Sequence, residues 1–514
     1  MKRISQQVAF IPALLTGLTL TLTGCGSFKS AFSPDHKYSP NELGKDYSVF
    51  ENVLKESHPG LYWYTPPDSM NGYFKWGQDQ LRDSLTEPEF KQVLSYVLAR
   101  IDCGHTTVRS SKRYSRYLDT LRNEKFFPLS LKLWDDTTVV AANLNRKDTV
   151  LKRGTVIKAI DHRTIRQITD TLFRFISSDG FNRTHKFQTL SNRGGFGSLY
   201  TAVYGLNDHY TIDYIDSGGQ SKSVTIPVYD PLKDTANRLA VRRFIRPTKR
   251  ERKQMNLRGT RSLRIDTANN TAFLDVNSFG RGYALQRFFR KSFHTIRRSN
   301  VANLVIDLRG NGGGSVTNST LLSKYLVDER FKICDTLYAI RRKSRYRQYI
   351  DDYFFNRLFM LVFTRRHNDG FYHFGYFERH YFHPRKKNHF DGQTYVLIGG
   401  NSFSATTLFT NSVIRQQNVT VVGEETGGGA YGNTAWLIPD VKLPETKLQF
   451  RLPLFRLVMD RNRPKTGHGI YPEIEAKPTV DAITRNADYK MDKVMELIRA
   501  NHPGGKNAQS KKGR

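Results

Sequence analysis

Cysteine is scarce. The 514 residues hold three, Cys25, Cys103 and Cys334, too few for a thiolate metal centre. Apolar runs are short beyond the first 25 residues, so no later stretch offers the roughly 20 apolar residues a bilayer span needs. Acidic residues are in deficit, 47 against 80 Lys and Arg, giving a formal net charge of +33. The chain lacks His-Glu-x-x-His, and its histidines are scattered, so no metal or cofactor is expected. It also lacks Gly-Lys-Ser/Thr at the right offset after its glycine cluster, which argues against a phosphate loop.

What is present begins with MKRISQQVAFIPALLTGLTLTLTGC, residues 1–25. Lys2 and Arg3, an apolar run and a closing Leu22-Thr23-Gly24-Cys25 have the layout of a signal peptide. The ending resembles a bacterial lipobox, which implies a lipid on Cys25, a tether over 26–40 and a place in the cell envelope, facing periplasm or cell surface. Cys103 and Cys334 could pair in an oxidising compartment, but unpaired small core residues are the expectation. For an exported chain the basic charge points away from nucleic acid and toward acidic envelope polymers or anionic lipid headgroups. Its local peaks, 241-VRRFIRPTKRERKQ-254 and 341-RRKSRYRQ-348, read first as solvated faces.

Apolar residues spaced by three and four predict helices within 46–59, 68–85 and 87–101, a helical cap over 41–115. Residues 126–229 change to period two, with strands at 129–134, 137–144, 210–215 and 223–229. The stretch 149–176 reads as turn, strand, tight Asp161-His162 turn and amphipathic helix, an order that resembles a PDZ domain, which captures peptides by strand addition. Residues 230–260 read as a basic linker. From 261 to 480 strands and helices alternate: a hairpin of 262–266 with 271–279, strands at 303–308, 395–398 and 418–423, helices between. Such alternation predicts an α/β layer fold with parallel strands. The aromatic and basic insertion 339–391 is either a lid over a site or a separate excursion. The tail 500–514 is polar and basic.

In 305-VIDLRGNGGGS-315 a buried strand runs into a glycine turn before a helix, where bare N–H groups can approach a ligand. In 395-YVLIGGNSFSATTLF-409 a second strand, turn and helix place Ser404 at the helix start. That serine is a helix cap or a nucleophile at an elbow. If the two strands are parallel neighbours, both turns emerge at one carboxyl edge. Amides from the glycine cluster and from Ala405 would then flank Ser404 as an oxyanion hole.

These segments together resemble the tail-specific, or C-terminal processing, proteases of the S41 serine peptidases. The resemblance rests on 102-DCGHT-106, 271-TAFLDVNSF-279, 306-IDLRGNGGG-314, 397-LIGGNSFSA-405, 421-VVGEETGGG-429 and 469-GIYPEIEAKPT-479, in that order. It implies a crotonase-like core with Ser404 as nucleophile and Gly313 and Ala405 as oxyanion donors. Gly429 stands where Ser–Lys members carry their lysine, so the resemblance points to the tricorn-like branch, with His105 as base. Imidazole titrates near neutrality and can take and return the serine proton. Tricorn-like enzymes have Ser before that His and Glu near the C-terminal element; here Gly104 and Thr466 fall there. Candidates for the orienting acid are Glu424, Glu425 and Asp102, with Glu473 weaker.

Ser402 is the rival nucleophile, lying two residues earlier without a helix amide behind it. Cys103 reads as packed. His58, His162, His185, His209 and His468 read as structural. The expectation is an envelope serine endopeptidase acting on unfolded or extended polypeptides. Against it stand an inactive member of the fold that binds peptides or apolar ligands, and a nucleic-acid binder resting on charge alone.

Overall fold

The computed structural model describes residues 32–121, 124–235 and 247–501; the expected leader, Cys25 and the tail from 502 on lie outside them. The described residues from Pro34 onward form one compact unit.

The cap forms as its periodicity predicts. Ser39 accepts the Glu42 amide, and the Glu42 carboxylate accepts the Ser39 N–H at 2.8 Å, so a capping box starts the helix Pro40–Ser57. Thr86 and Glu89 do the same for Glu87–Ala99. Leu43, Tyr47, Phe50, Val53 and Leu54 line the buried face of the first helix. They pack with Phe74 and Leu94, and with Leu443, Leu448 and Phe450 from the far end of the chain. Asp46, fully buried, accepts the Glu445 and Thr446 amides at 2.7 and 2.8 Å and the Thr446 hydroxyl at 2.5 Å. Burial raises its carboxyl above the ordinary value, and those donors work against the rise. Removing it would leave buried donors unpaired, at about 1–3 kcal/mol each. A short strand, Val108–Arg109, pairs with Gln449–Arg451, so the cap is clamped to the last third of the chain.

The β-rich region holds one sheet in the order Leu129–Trp134, Thr137–Asn143, Val156–Ile160, His209–Ile215, Ser221–Pro227. Asp161 and His162, at φ 48° and 64°, make the tight turn in the left-handed region that two-residue hairpins use. Two helices that sequence reading left out, Arg183–Ser191 and Gly195–Tyr204, cover the sheet. The first buries only Phe187 and Leu190 and the second opens on glycines, so neither advertises an apolar stripe. The expected linker over 230–260 is corrected in part: Lys249–Thr260 is a helix, begun by a Thr248–Glu251 capping box and burying only Thr260.

The α/β core follows the alternation. A six-stranded sheet runs Arg261–Asp266, Thr271–Val276, Asn303–Asp307, Gln393–Ile398, Val419–Gly423, Ile474–Glu475. Only the first pair is antiparallel. Helices Leu285–Ser299, Val316–Ser323 and Ala405–Val413 cover one face through Phe289, Phe293, Leu322 and Phe409. The helix Tyr489–Ala500 covers the other through Val494 and Ile498.

The insertion is fused to this core. Thr336–Ala339, Tyr372–His373 and Arg365–Arg366 join Phe455–Val458 and Gly432–Ala435 in a second, five-stranded sheet. Its Met360 and Phe374 pack with Leu408 of the helix that follows Ser404. Cys103 and Cys334 are both buried and free.

Candidate active site

Asn303–Asp307 and Gln393–Ile398 are parallel neighbours, with Asp307 opposite Leu397. The glycine turn and the Ser404 turn therefore leave the same carboxyl edge, as the sequence required of a shared site.

Asn311 welds the two turns. Fully buried, its side-chain amide donates to the Val276 carbonyl at 2.9 Å. Its carbonyl accepts the Phe403 amide at 3.2 Å and the Thr406 hydroxyl at 2.9 Å. A Cβ on Gly313 (φ 99°) would lie 2.7 Å from Ser404 Cβ and 3.0 Å from the Ala405 nitrogen, so only glycine fits against the elbow. The Gly313 N–H, however, donates to Asn311 Oδ1 at 2.9 Å. The expected oxyanion donor is thus already engaged, a detail of side-chain geometry that the glycine pattern does not carry.

Ser404 heads the helix Ala405–Val413 at φ 57°, ψ −119° and makes no capping bond with its side chain. Elsewhere in this chain Ser39, Thr86, Ser111, Thr164 and Thr248 each accept an amide at a helix start. A non-glycine residue at such a φ costs on the order of 1–3 kcal/mol. A hydroxyl in a strained elbow that forgoes the cap is arranged for something other than helix stability. The rival Ser402 is spent: buried, it donates to the Leu308 carbonyl at 2.8 Å and accepts the Gly399 amide at 3.1 Å.

His105 comes to this edge from the cap. It is 4% exposed, neither ring nitrogen has a hydrogen-bond partner, and its ring centroid lies 4.7 Å from that of Phe403, the residue before Ser404. The ring of His185 packs on the same phenyl at 5.2 Å and bonds the Gly400 carbonyl at 2.8 Å, a structural role as expected. Gly104 makes the approach of His105 feasible, because a Cβ there would meet Phe403 Cζ at 2.5 Å.

The carboxylate nearest His105 is one that sequence reading missed. Asp179 Oδ1 lies 3.9 Å from His105 Nδ1, and Asp179 is 3% exposed. It accepts the Gly104 amide at 2.8 Å through Oδ1 and the Gly429 amide at 3.2 Å through Oδ2. Its neighbours extend the staple: Gly180 N–H donates to the Asp102 carbonyl at 2.9 Å, the Ser177 hydroxyl to the Thr106 carbonyl at 2.9 Å, and the Asn182 amide to the Thr426 carbonyl at 2.7 Å. The segment 177–182 therefore binds the cap turn to the loop over Ser404. Gly429, at the place of the absent lysine, adjoins Asp179 instead.

The proposed acids go elsewhere. Glu424 pairs with Lys490 at 2.6 Å; burial pushes its carboxyl up, but Lys490 and Lys132 outweigh that and hold it below the ordinary value. Glu425 accepts the Gly469 amide and the Thr184 hydroxyl, each at 2.7 Å. Asp102 stands beside Thr65, with burial raising its carboxyl to about 6. Glu473 accepts the Val421 amide at 2.9 Å, and Thr466 is exposed. All are tied into the fold rather than to His105. The remaining single histidine of the cap, His58, bonds Thr106 at 2.8 Å, and burial drives it down to about 3.

Cys103, His105 and Asp179 offer donor atoms within 4.8 Å of one another, as do Asp328, His389 and Asp391 on the surface. Burial holds the Cys103 thiol up at about 11.

Residues 270–476 match the family model of Peptidase family S41. In fold the chain is similar to mature CPAF, with a TM-score of 0.60 and 16% identity over 90% of this chain and 98% of that one. It is likewise similar to mature CPAF complexed with lactacystin, with a TM-score of 0.60 and 15% identity over 89% and 98%. No curated protein sequence matches the chain. The matched residues carry both turns of the site, so this segment is a domain of the kind described by Peptidase family S41, and the chain is a serine-type peptidase.

Proposed function

We propose that Ser404 is the nucleophile, His105 its general base and then acid, and Asp179 the residue that orients the imidazole. The observation that carries this reading is the pairing of an uncapped, strained Ser404 with a buried His105 whose nitrogens are both unspent. No hydrogen bond joins the two in the free protein, and such contacts commonly close only when substrate binds. Ser404 Oγ attacks a peptide carbonyl while His105 takes its proton. The Ala405 amide and a backbone N–H of the 312–314 turn receive the negative oxygen, Gly313 serving as it exchanges Asn311 Oδ1 for that oxygen. His105 returns the proton to the leaving amine, and water resolves the acyl-enzyme.

Substrates are unfolded or extended polypeptides. A groove of about 250 Å³ lies between the edge strand Leu129–Trp134 and the helix Arg183–Ser191, and its lining reaches Glu424 and Glu425 beside the catalytic loop. Strand addition there suits the PDZ-like reading, with the peptide displacing the Ser191 hydroxyl that now accepts the Leu133 N–H at 2.9 Å. The protein works in the cell envelope, held by a lipid on Cys25; a Cys25→Ser variant should lose incorporation of a palmitate analogue.

The test uses residues 34–514 with reduced, alkylated casein and a fluorophosphonate probe. Wild type should cleave casein and be labelled. Ser404→Ala should lose both, and His105→Ala should lose at least about 10³-fold in rate, all with unchanged thermal unfolding. Wild-type protein that binds casein without cutting it or taking the probe would overturn the assignment.

A further inference from the structure

The helix Tyr353–Phe363 in the insertion is apolar on both sides: Phe359 and Phe363 pack on Phe374, and Met360 joins the same cluster. Phe354, Phe355, Leu358, Leu361 and Val362 lie on its solvent side, from 40% exposed at Leu361 to 70% at Phe354. Its two polar members, Asn356 and Arg357, are half-buried. A soluble surface helix carries one apolar stripe, toward the core; this one carries a second, toward solvent. A contiguous apolar face of this size marks a surface with a partner.

The surroundings of the face say what that partner is. The segment 341–347 runs along the helix, tied at one end by the Ser344 amide donating to the Tyr353 hydroxyl at 3.0 Å. At the other end Arg342 Nε donates to Thr364 Oγ1 at 3.0 Å. Arg341, Lys343, Arg345 and Arg347 on this segment are exposed, as are Arg365 and Arg366 just past the helix. Fewer acids oppose them: Asp351 and Asp352 at the helix start, the half-exposed Asp369, and Glu56, which accepts the Ser344 hydroxyl at 2.5 Å and the Arg345 amide at 3.1 Å. A second copy meeting this face by two-fold symmetry would bring two basic strips together, a like-charge arrangement that costs affinity. A membrane interface answers both features, taking aromatic and aliphatic side chains at the headgroup boundary and cations against anionic lipid.

We propose that this helix and its basic strip dock the protein on a bilayer surface that bears anionic lipid headgroups. The inner side of the helix packs through Met360 against Phe374 and Leu408, so docking would hold the Ser404 helix next to the membrane. The inference is independent of the lipid expected on Cys25 and of which residues perform catalysis.

The experiment is vesicle flotation of residues 34–514, which lack Cys25. Vesicles contain equal parts phosphatidylglycerol and phosphatidylcholine, or phosphatidylcholine alone. The expected result is binding to the anionic vesicles that falls at least about tenfold in Phe354→Ser/Phe355→Ser and in Arg365→Glu/Arg366→Glu, with casein cleavage unchanged. The substituted residues are exposed, and unfolding curves check that both variants remain folded. Three outcomes would overturn the proposal: no binding to anionic vesicles; binding that the phenylalanine variant leaves intact, meaning net charge alone; or a wild-type dimer in sedimentation that this variant dissolves. Slower casein cleavage by the phenylalanine variant without vesicles would also overturn it, by making the face a substrate-docking surface.

Discussion

Ser404 and the glycine turn stand on adjacent strands of one sheet, in register and joined by Asn311. His105 and Asp179 stand on turns of the cap and of the β-rich region, held to the sheet edge by bonds from the 177–182 segment. The first half of the site depends on strand order, which alternating apolar runs and glycine turns encode locally. The second depends on contacts between residues 75 to 250 positions apart, which no local pattern encodes. On the proposed chemistry, a chain can thus keep the nucleophile half intact while losing the half that activates it.

The sharpest way to break that comparison is Asp179→Asn. Its loss should cost about 10²–10⁴-fold in casein cleavage, by analogy of role with the orienting acid of a triad. Fluorophosphonate labelling should slow in parallel while Ser404 stays in place. Equal rates for wild type and variant would make Asp179 a staple only. Gly104→Ala comes next. Its Cβ would sit 2.5 Å from Phe403 Cζ, forcing the phenyl or the imidazole aside, and a displacement near 1 Å costs about 10²-fold. Kinetics together with imidazole NMR shifts would locate the change at His105 rather than at the sheet.

Asn311→Ala probes the other half. It should lower stability by about 1–3 kcal/mol through unpaired buried partners, the Val276 carbonyl and the Gly313 amide, and slow cleavage by roughly tenfold, since Gly313 loses its side-chain anchor. Urea midpoints separate the two effects.

An effect on stability alone concerns Asp102, whose carboxyl burial lifts to about 6, against the pull of Lys186 and Arg100. A folded-state value raised above the unfolded one makes the acid form the stabilised form. Stability is then highest in acid and lost as pH climbs through about 6. Asp102→Asn, at φ 53° where Asn is tolerated, should match wild type near pH 4. At about pH 8 it should exceed it by up to about 3 kcal/mol, as denaturant melts at the two values would show.

The same division explains what the sequence made legible. Strands 129–134, 303–308 and 395–398 fall where period and β-branching put them, and a parallel sheet with two turns at one edge follows from their alternation. Ser404, Ala405, His105 and the closeness of Gly313 are readable because motif order preserves them. Asp179 is not, since 177-SSDGFN-182 reads as an ordinary turn until its partners Gly104, Thr426 and Gly429 come together from elsewhere. Glu424 and Glu425 are attractive in sequence for lying near the right glycines, yet Lys490, Thr184 and Gly469 claim them. The insertion could not be assigned because its strand Tyr372–His373 pairs with Thr336–Ala339, which is itself held by Phe455–Val458, far later in the chain.

The staple at 177–182 also sets an order of events during synthesis. Ribosomes deliver His105 and Asp179 hundreds of residues before Ser404, and the loop that Asp179 grips is later still. On the proposed chemistry, a protein that cuts unfolded chains is itself unfolded while it is being made. Its cutting power arrives only when the last third of the molecule closes over the first, by which time the chain no longer offers itself as a substrate.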